Sequence, residues 1–322
     1  MRAKGGDLNA LRESEDRVPT ELHQTTWASE RSIEFIRERH DRPWLLNVNP
    51  YDPHPPFIPP RAYAEQFDTD DMPGPHLRES DHAAQAHLAS CDFQNKGVTF
   101  DIEDGKRAQA LYYAMIAQID DQFARILEAL DETGQRDNTV IIFTSDHGES
   151  LGDHGLMWKG CRFYEGLVRV PLVFSWPGQF EQDLRSDALV ELLDLTATLL
   201  DLSGVSQPDY QQGKSLLPIL RGDAGAEHRP FVRSEYFDAL DPMFTGGTGT
   251  FATMHRTRRY KLVVYHGKGL GELFDLESDP WEHENLWDSP AHAELKHRLL
   301  AESFDAHVLL TTDVGSPRIA PM

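Results

Sequence analysis

Cysteine is almost absent: Cys91 and Cys161 are the only two in 322 residues. Two thiols cannot build a disulfide framework, so each is expected to pack as a small hydrophobe. Basic residues are also scarce, 31 against 53 acidic ones, for a net charge of −22. A field of that sign repels phosphate backbones and anionic membranes, which argues against a nucleic-acid partner and against membrane docking. It does not exclude an anionic substrate, because a metal ion and a few cations reverse the potential locally. No apolar run approaches the ~18 residues needed to span a bilayer. The polar start Met1–Asp7 lacks the apolar core of a secretory signal, so the default compartment is the cytoplasm. Internal repeats and low-complexity tracts are missing as well.

What is present is an ordinary globular composition, with 39% hydrophobic and 10% aromatic residues, enough for one large domain or a large and a small one. Residues 27–40 read as a helix and 44–49 (WLLNVN) as a buried strand. The stretch YDPHPPFIPP, residues 51–60, is too rich in proline for helix or sheet. Residues 68–104 read as a long polar surface loop. Over residues 106–130, Leu111, Met115, Ile119, Phe123, Ile126, Leu127 and Leu130 recur at helical spacing, with Gly134 as the stop. Residues 139–143 (TVIIF) suit a strand buried on both faces. A second strand is expected over 167–176, with Pro171 near its start, and an apolar helix over 187–202. This order predicts an α/β sandwich with a mostly parallel sheet over residues 1–225. Short strands at 231–235, 260–265 and 272–276 and a helix at 291–304 predict a smaller α+β subdomain over residues 226–322.

The chemistry concentrates where TVIIF ends. Ligands of open α/β sheets collect beyond the carboxyl ends of strands, and Asp146 and His147 stand there, with Gly148 easing a turn. A carboxylate beside an imidazole suits a divalent cation: oxygen favours magnesium, calcium or manganese, and nitrogen adds zinc and iron. Taken alone, the Asp-His-Gly tripeptide reads as readily as a polar cap on the following turn. His54 alone reads as a solvated loop residue and Lys159 alone as a surface lysine.

The surroundings carry more. Residues 144–171, TSDHGESLGDHGLMWKGCRFYEGLVRVP, resemble the sulfatase family. They are closest in pattern to its branch of phosphonate monoester hydrolases and choline sulfatases. NVNPYDPHPPFIPP, YYAMIAQIDDQFARILEALDETGQRDNTVIIF, LLDLTATLLDLSG, GKSLLPILRG, MHRTRRYKLVVY and GELFDLESDPWEHENLW resemble further family segments in the same order. The resemblance runs from about residue 20 to 290. It implies an alkaline-phosphatase-like α/β sandwich and a metal-dependent hydrolase acting on small-molecule or sugar sulfate esters. The alternatives are phosphonate or phosphate esters, or a non-catalytic remnant of such an enzyme. By resemblance, Asp146 and His147 are ligands of one divalent ion (calcium, magnesium or manganese). Lys159 contacts an oxygen of the transferred group, and His54 does likewise or protonates the leaving oxygen. A metal and a lysine stabilise charge on peripheral oxygens, and a histidine supplies a proton at neutral pH. Asp153 and His154 fit the motif without an implied role. Arg162, Glu165 and Arg169 are expected as ion-pair partners nearby.

Family members open with a strand ending in two acidic ligands, then a Cys- or Ser-x-Pro-x-Arg helix start whose first residue becomes the formylglycine nucleophile. Neither cysteine here begins that pattern: Cys91 precedes DFQN and Cys161 precedes RFYE. The expectation is therefore a fold without its N-terminal strand, and no arylsulfatase turnover by these 322 residues alone. Substrate choice is expected to rest partly on residues 68–104 and 236–256.

Overall fold

The structure is a computed structural model that describes residues 18–91, 101–223, 228–238 and 249–311. The polar start, residues 92–100 of the expected surface loop, and 239–248 of the expected specificity segment lie outside the described residues. The chain divides into two compact units, Met1–Ile141 with Glu149–Gly160, and Ile142–Gly148 with Cys161–Met322.

The first unit is built on helices α1 (Gln24–Arg37), α2 (Arg61–Ala64), α3 (Glu79–His87) and α4 (Ile102–Glu132). Helix α4 extends the predicted 106–130 at both ends. Its start is fixed by Asp101, whose carboxylate accepts from the Asp104 amide at 2.8 Å, with Glu103 and Asp104 in the first turn favouring the helix dipole. Gly134 follows the C-cap in a left-handed conformation, φ 68°, as expected of a glycine stop. Two apolar clusters use the buried face of α4. Ile33 and Ile36 of α1 pack on Ala129 and Leu130, joined by Trp44 and Leu46. Phe57 packs on Ala108, Leu111, Met115 and Met157. Each large buried side chain contributes roughly 1.5–3 kcal/mol. The second cluster therefore pins both the proline-rich loop and the Glu149–Gly160 segment to one helix.

Two expectations for this unit fail. Residues 44–49 form no strand, and their exposure alternates, with 44, 46 and 48 half-buried and 45, 47 and 49 exposed. Leu45 is 75% exposed. The apolar run reads as a buried strand, but only one face is partly covered and no hydrogen-bonded ladder forms. Nor are residues 68–104 all loop, since they contain α3. That helix has no apolar periodicity to betray it, because its one buried residue is Asp81. The Asp81 carboxylate accepts from the Arg78 amide at 2.7 Å and so caps the helix start.

The second unit contains strands β1 (Ile141–Thr144, from Ile142) and β2 (Leu172–Ser175), which pair as a two-stranded sheet. All four β1 residues are half-buried, not enclosed on both faces as predicted. The predicted 167–176 strand is split. Helix α5 (Glu165–Val168) precedes it, and β2 begins only after Pro171, which lacks an N–H and holds its predecessor out of the helical region. Helix α6 (Leu193–Leu202) starts later than the predicted residue 187, because the Asp194 carboxylate accepts from the Glu191 amide at 2.9 Å and stops the helix there. Helix α7 (Leu217–Leu220) follows. Then β3 (Phe231–Phe237), β4 (Phe251–Thr257), β5 (Tyr260–Tyr265) and β6 (Leu270–Asp275) form an antiparallel meander in sequence order. Helix α8 (Ala293–Thr311) closes the unit, with Leu299 packed on Leu262 and Leu273.

Candidate functional site

The chain turns sharply after β1. Asp146 Oδ1 accepts from the His147 amide at 2.9 Å, and Ser145 Oγ donates to the His147 carbonyl at 2.8 Å. The Asp146 side chain is 85% exposed and that of His147 41%. His147 Nδ1 lies 2.7 Å from the Gly148 carbonyl oxygen. A ring nitrogen facing a carbonyl must carry the proton, so Nε2 holds the lone pair. That Nε2 stands 3.7 Å from Asp146 Oδ2. Two ligands about 2.0–2.5 Å from one ion at ordinary coordination angles are separated by roughly 3–4 Å. The pair therefore fits a shared divalent cation, and a carbonyl orienting the second ring nitrogen is what metal-bound histidines usually have.

Gly148 is there for space as well as for the turn. Its amide donates to the Leu167 carbonyl at 2.8 Å. An added β-carbon would stand 1.9 Å from the Gly166 carbonyl oxygen. No side chain fits, so α5 presses directly on the backbone beside Asp146 and His147.

Lys159 belongs to the first unit and sits in an unusual stretch of backbone. Leu151 (φ 50°), Gly152 (96°), His154 (55°), Gly155 (73°), Trp158 (68°) and Gly160 (57°) are all left-handed. For the three non-glycines this costs about 1–3 kcal/mol each and persists only where surrounding contacts dictate it. Those contacts are visible. The Gly152 amide donates to the Leu156 carbonyl at 2.8 Å, and Ser150 donates to the Trp158 carbonyl through its amide (3.0 Å) and its hydroxyl (2.5 Å). The His154 amide donates to the His76 carbonyl at 2.9 Å, and Asp153 Oδ1 accepts from the His76 amide at 2.7 Å. His154 Nδ1 is 3.8 Å from the buried Asp81 carboxylate. Asp153 and His154 thus shape the turn that presents Lys159. Glu149 is buried in the same segment, and burial pushes its carboxyl up to about 7, with Lys159 and the Ser150 amide pulling the other way.

His54 also lies in the first unit. Its Nδ1 is 2.6 Å from the Pro55 carbonyl oxygen, and its ring is 4.6 Å from that of Tyr51. Two residues earlier, the buried Asp52 carboxylate accepts from Thr25 Oγ1 and from Gln24 Nε2 (3.0 Å), with His23 Nδ1 at 3.3 Å. The loop is thereby stapled to the first turn of α1. Three residues later, Phe57 is wholly buried, 5.9 Å from the Trp158 ring, and shares its cluster with Met157. The His54 loop and the Lys159 turn are packed together through these aromatics. Asp146 and His147 are brought together within the second unit.

Glu165 meets its expectation as an ion-pair partner, with Arg256 Nε and Nη2 each 3.2 Å from its carboxylate and Lys261 Nζ at 2.7 Å. Arg162 is buried beneath the Tyr265 ring, 5.6 Å from its centroid. The surrounding Tyr265, Glu272 and Tyr164 oxygens raise its pKa beyond the ordinary arginine range, against the opposing effect of burial. Sequence reasoning missed Glu149, Asp52, Asp81 and Lys261. Glu149 had a signal, standing next to Asp-His-Gly in the motif. Lys261 had one too, as a lone cation inside the apolar run YKLVVY. Asp52 and Asp81 had none, because burial of a carboxylate in a polar stretch depends on what packs over it.

The sulfatase family model matches residues 9–205, and the C-terminal model of N-sulphoglucosamine sulphohydrolase matches residues 152–307. The multifunctional alkaline phosphatase superfamily protein PehA of Trinickia caryophylli is 33% identical over 303 residues, covering 87% of this chain and 58% of that protein. The choline-sulfatase of Rhizobium meliloti is 33% identical over 275 residues, covering 82% and 50%. The phosphonate monoester hydrolase of Agrobacterium radiobacter superposes with a TM-score of 0.82 at 27% identity, covering 91% of this chain and 62% of that structure. The chain spans about half the length of the curated relatives it matches. These likenesses bear out the α/β, alkaline-phosphatase-like fold, and the chain belongs to the sulfatase family of the alkaline phosphatase superfamily.

Proposed function

We propose that the whole protein hydrolyses sulfate esters of small molecules or sugars, with one divalent cation (calcium, magnesium or manganese) held in part by Asp146 and His147. One observation carries this reading: a carboxylate oxygen and an imidazole nitrogen stand 3.7 Å apart, with the ring oriented by the Gly148 carbonyl. Bound there, the cation would neutralise charge on the peripheral oxygens of the ester. Lys159 binds one such oxygen, and its turn is held rigid by the contacts that enforce the left-handed backbone. His54 holds the proton that the leaving oxygen needs. With Nδ1 engaged by the Pro55 carbonyl, Nε2 is the nitrogen that exchanges that proton. Phe57 and Trp158 keep the two loops in register.

Calorimetric titration of the chain with calcium, magnesium and manganese tests the metal reading. Binding weakened at least about tenfold by either Asp146→Ala or His147→Ala is expected, and binding indifferent to both sinks it. A second reading, hydrolysis of phosphonate or phosphate monoesters, is favoured by the likeness to the Agrobacterium radiobacter enzyme and to PehA. An aryl sulfate and an aryl phosphonate monoester, assayed side by side with the natural full-length gene product, separate the two. Faster turnover of the sulfate, abolished by Asp146→Ala, is the expected result.

A further inference from the structure

Lys261 is a wholly buried charge of the second unit. It is wholly buried in β5, yet its ammonium makes three close contacts: Glu165 Oε1 at 2.7 Å, Glu282 Oε1 at 2.7 Å and the Phe163 carbonyl at 2.8 Å. Glu282, 97% buried and left-handed at φ 57°, also accepts from the Glu165 amide at 2.6 Å. Glu165 is thus gripped at its side chain by Lys261 and Arg256, and at its backbone by Glu282. Charge buried to this degree costs several kcal/mol per ion to desolvate and is repaid only by good geometry. An apolar core would close the sheet at less expense, so packing alone does not account for the arrangement.

Glu165 is the first residue of α5, and the next two residues reach the metal-ligand turn. The Gly166 carbonyl fills the space where Gly148 has no side chain, and the Leu167 carbonyl accepts from the Gly148 amide. The other side of Gly148, its own carbonyl, accepts from His147 Nδ1. A contiguous path runs from Lys261 through Glu165 and α5 to Gly148, and from there to the ring of His147.

Building on the metal reading above, we propose that Lys261, with Glu165 and Glu282, is a positioning cluster that fixes the His147 ring in the tautomer and orientation in which Nε2 faces a cation. The C-terminal sheet thereby takes part in the metal site without supplying a ligand. Loss of Lys261 frees α5 to shift, the Gly148 peptide to rotate, and the His147 ring to lose its carbonyl acceptor.

The test uses the full chain with Lys261→Met combined with Glu282→Gln, which removes one charge of each sign. Its control is Leu299→Ala, a core substitution in the same unit whose cluster, with Leu262 and Leu273, contains none of the three charged residues. The first readout needs no metal: the imidazole 15N shifts of His147 at pH 8, assigned by their loss in His147→Asn. The unsubstituted chain and Leu299→Ala are expected to show the Nδ1–H form, and the double variant a mixture of tautomers. The second readout is calcium titration, with affinity about tenfold weaker in the double variant and unchanged in Leu299→Ala. A His147 ring that keeps the Nδ1–H form in the double variant overturns the proposal. So does a tautomer change of equal size in Leu299→Ala. If the tautomer behaves as expected but no variant binds any divalent cation, the metal reading fails and the positioning role stands. If the double variant does not fold, Arg256→Met removes the other cation from Glu165 and is read in the same way.

Discussion

A β-carbon added at Gly148 would stand 1.9 Å from the Gly166 carbonyl oxygen, a backbone atom that cannot step aside as a flexible side chain would. Gly148→Ala should therefore cost about 1–3 kcal/mol of stability, seen as a lowered midpoint in urea, and weaken cation binding at least about tenfold in the same protein. An unchanged midpoint would mean that α5 yields freely. Phe57 makes a different residue-scale case. It stands in the proline-rich loop and is fully buried against α4 and Met157 of the Glu149–Gly160 segment. Phe57→Ala should destabilise by roughly 3–5 kcal/mol, because the cavity is lined by α4 on one side and cannot collapse. Limited proteolysis should then cut within residues 51–60 before it cuts α4. Cleavage unchanged from the unsubstituted chain would show that other contacts hold the loop.

At the scale of elements, α4 is the frame of the first unit, and its N-terminus is exposed to fraying. Replacing the Asp101 cap by alanine should cost about 0.5–2 kcal/mol and speed amide exchange over residues 102–106 while sparing 115–130. Uniform acceleration along the helix would contradict that. Helices with an apolar stripe were legible: α1 and α4 lie where helical spacing placed them, and α8 overlaps the helix expected over 291–304. Elements held by polar anchors were not. Helix α3 is organised by one buried carboxylate. Strand β4 buries Ala252, Met254 and the adjacent His255 while Phe251 is exposed, so its alternation is blurred. The run at 44–49 carried the composition of a strand without the partner that makes one.

For the molecule as a whole, acid should be destabilising through one buried imidazole. His255 is 1% exposed, 4.6 Å from the Phe231 ring, with Arg233 nearby and Glu302 Oε2 at 4.0 Å. Burial, helped by Arg233, lowers its pKa to about 4. The unfolded chain takes up this proton near pH 6.5 and the folded one only near 4, so the stability held by neutral His255 is complete above about 6.5 and is lost as pH falls through that window. The loss reaches roughly 3 kcal/mol at most. Thermal midpoints compared between pH 7 and 4.5 should fall less in His255→Leu than in the unsubstituted chain, and equal drops would refute the assignment. The net charge of −22 belongs to this scale too. It attracts cations over a Debye length of about 8 Å at physiological salt, so calcium affinity should weaken as ionic strength rises. Affinity independent of salt would confine the attraction to the ligands themselves.

The linear order of residues determined the family, the α/β class and the candidate site, because Asp146, His147 and Lys159 fall within fourteen consecutive positions and His54 within one proline-rich loop. Short-range chemistry of that kind survives in sequence. Tertiary structure alone decided which carboxylates are buried, why Gly148 must be glycine, and that a lysine more than a hundred residues downstream grips the helix beside it. Burial, van der Waals exclusion and ion pairing depend on distance in space, and no local pattern records which distant residue will arrive to complete them.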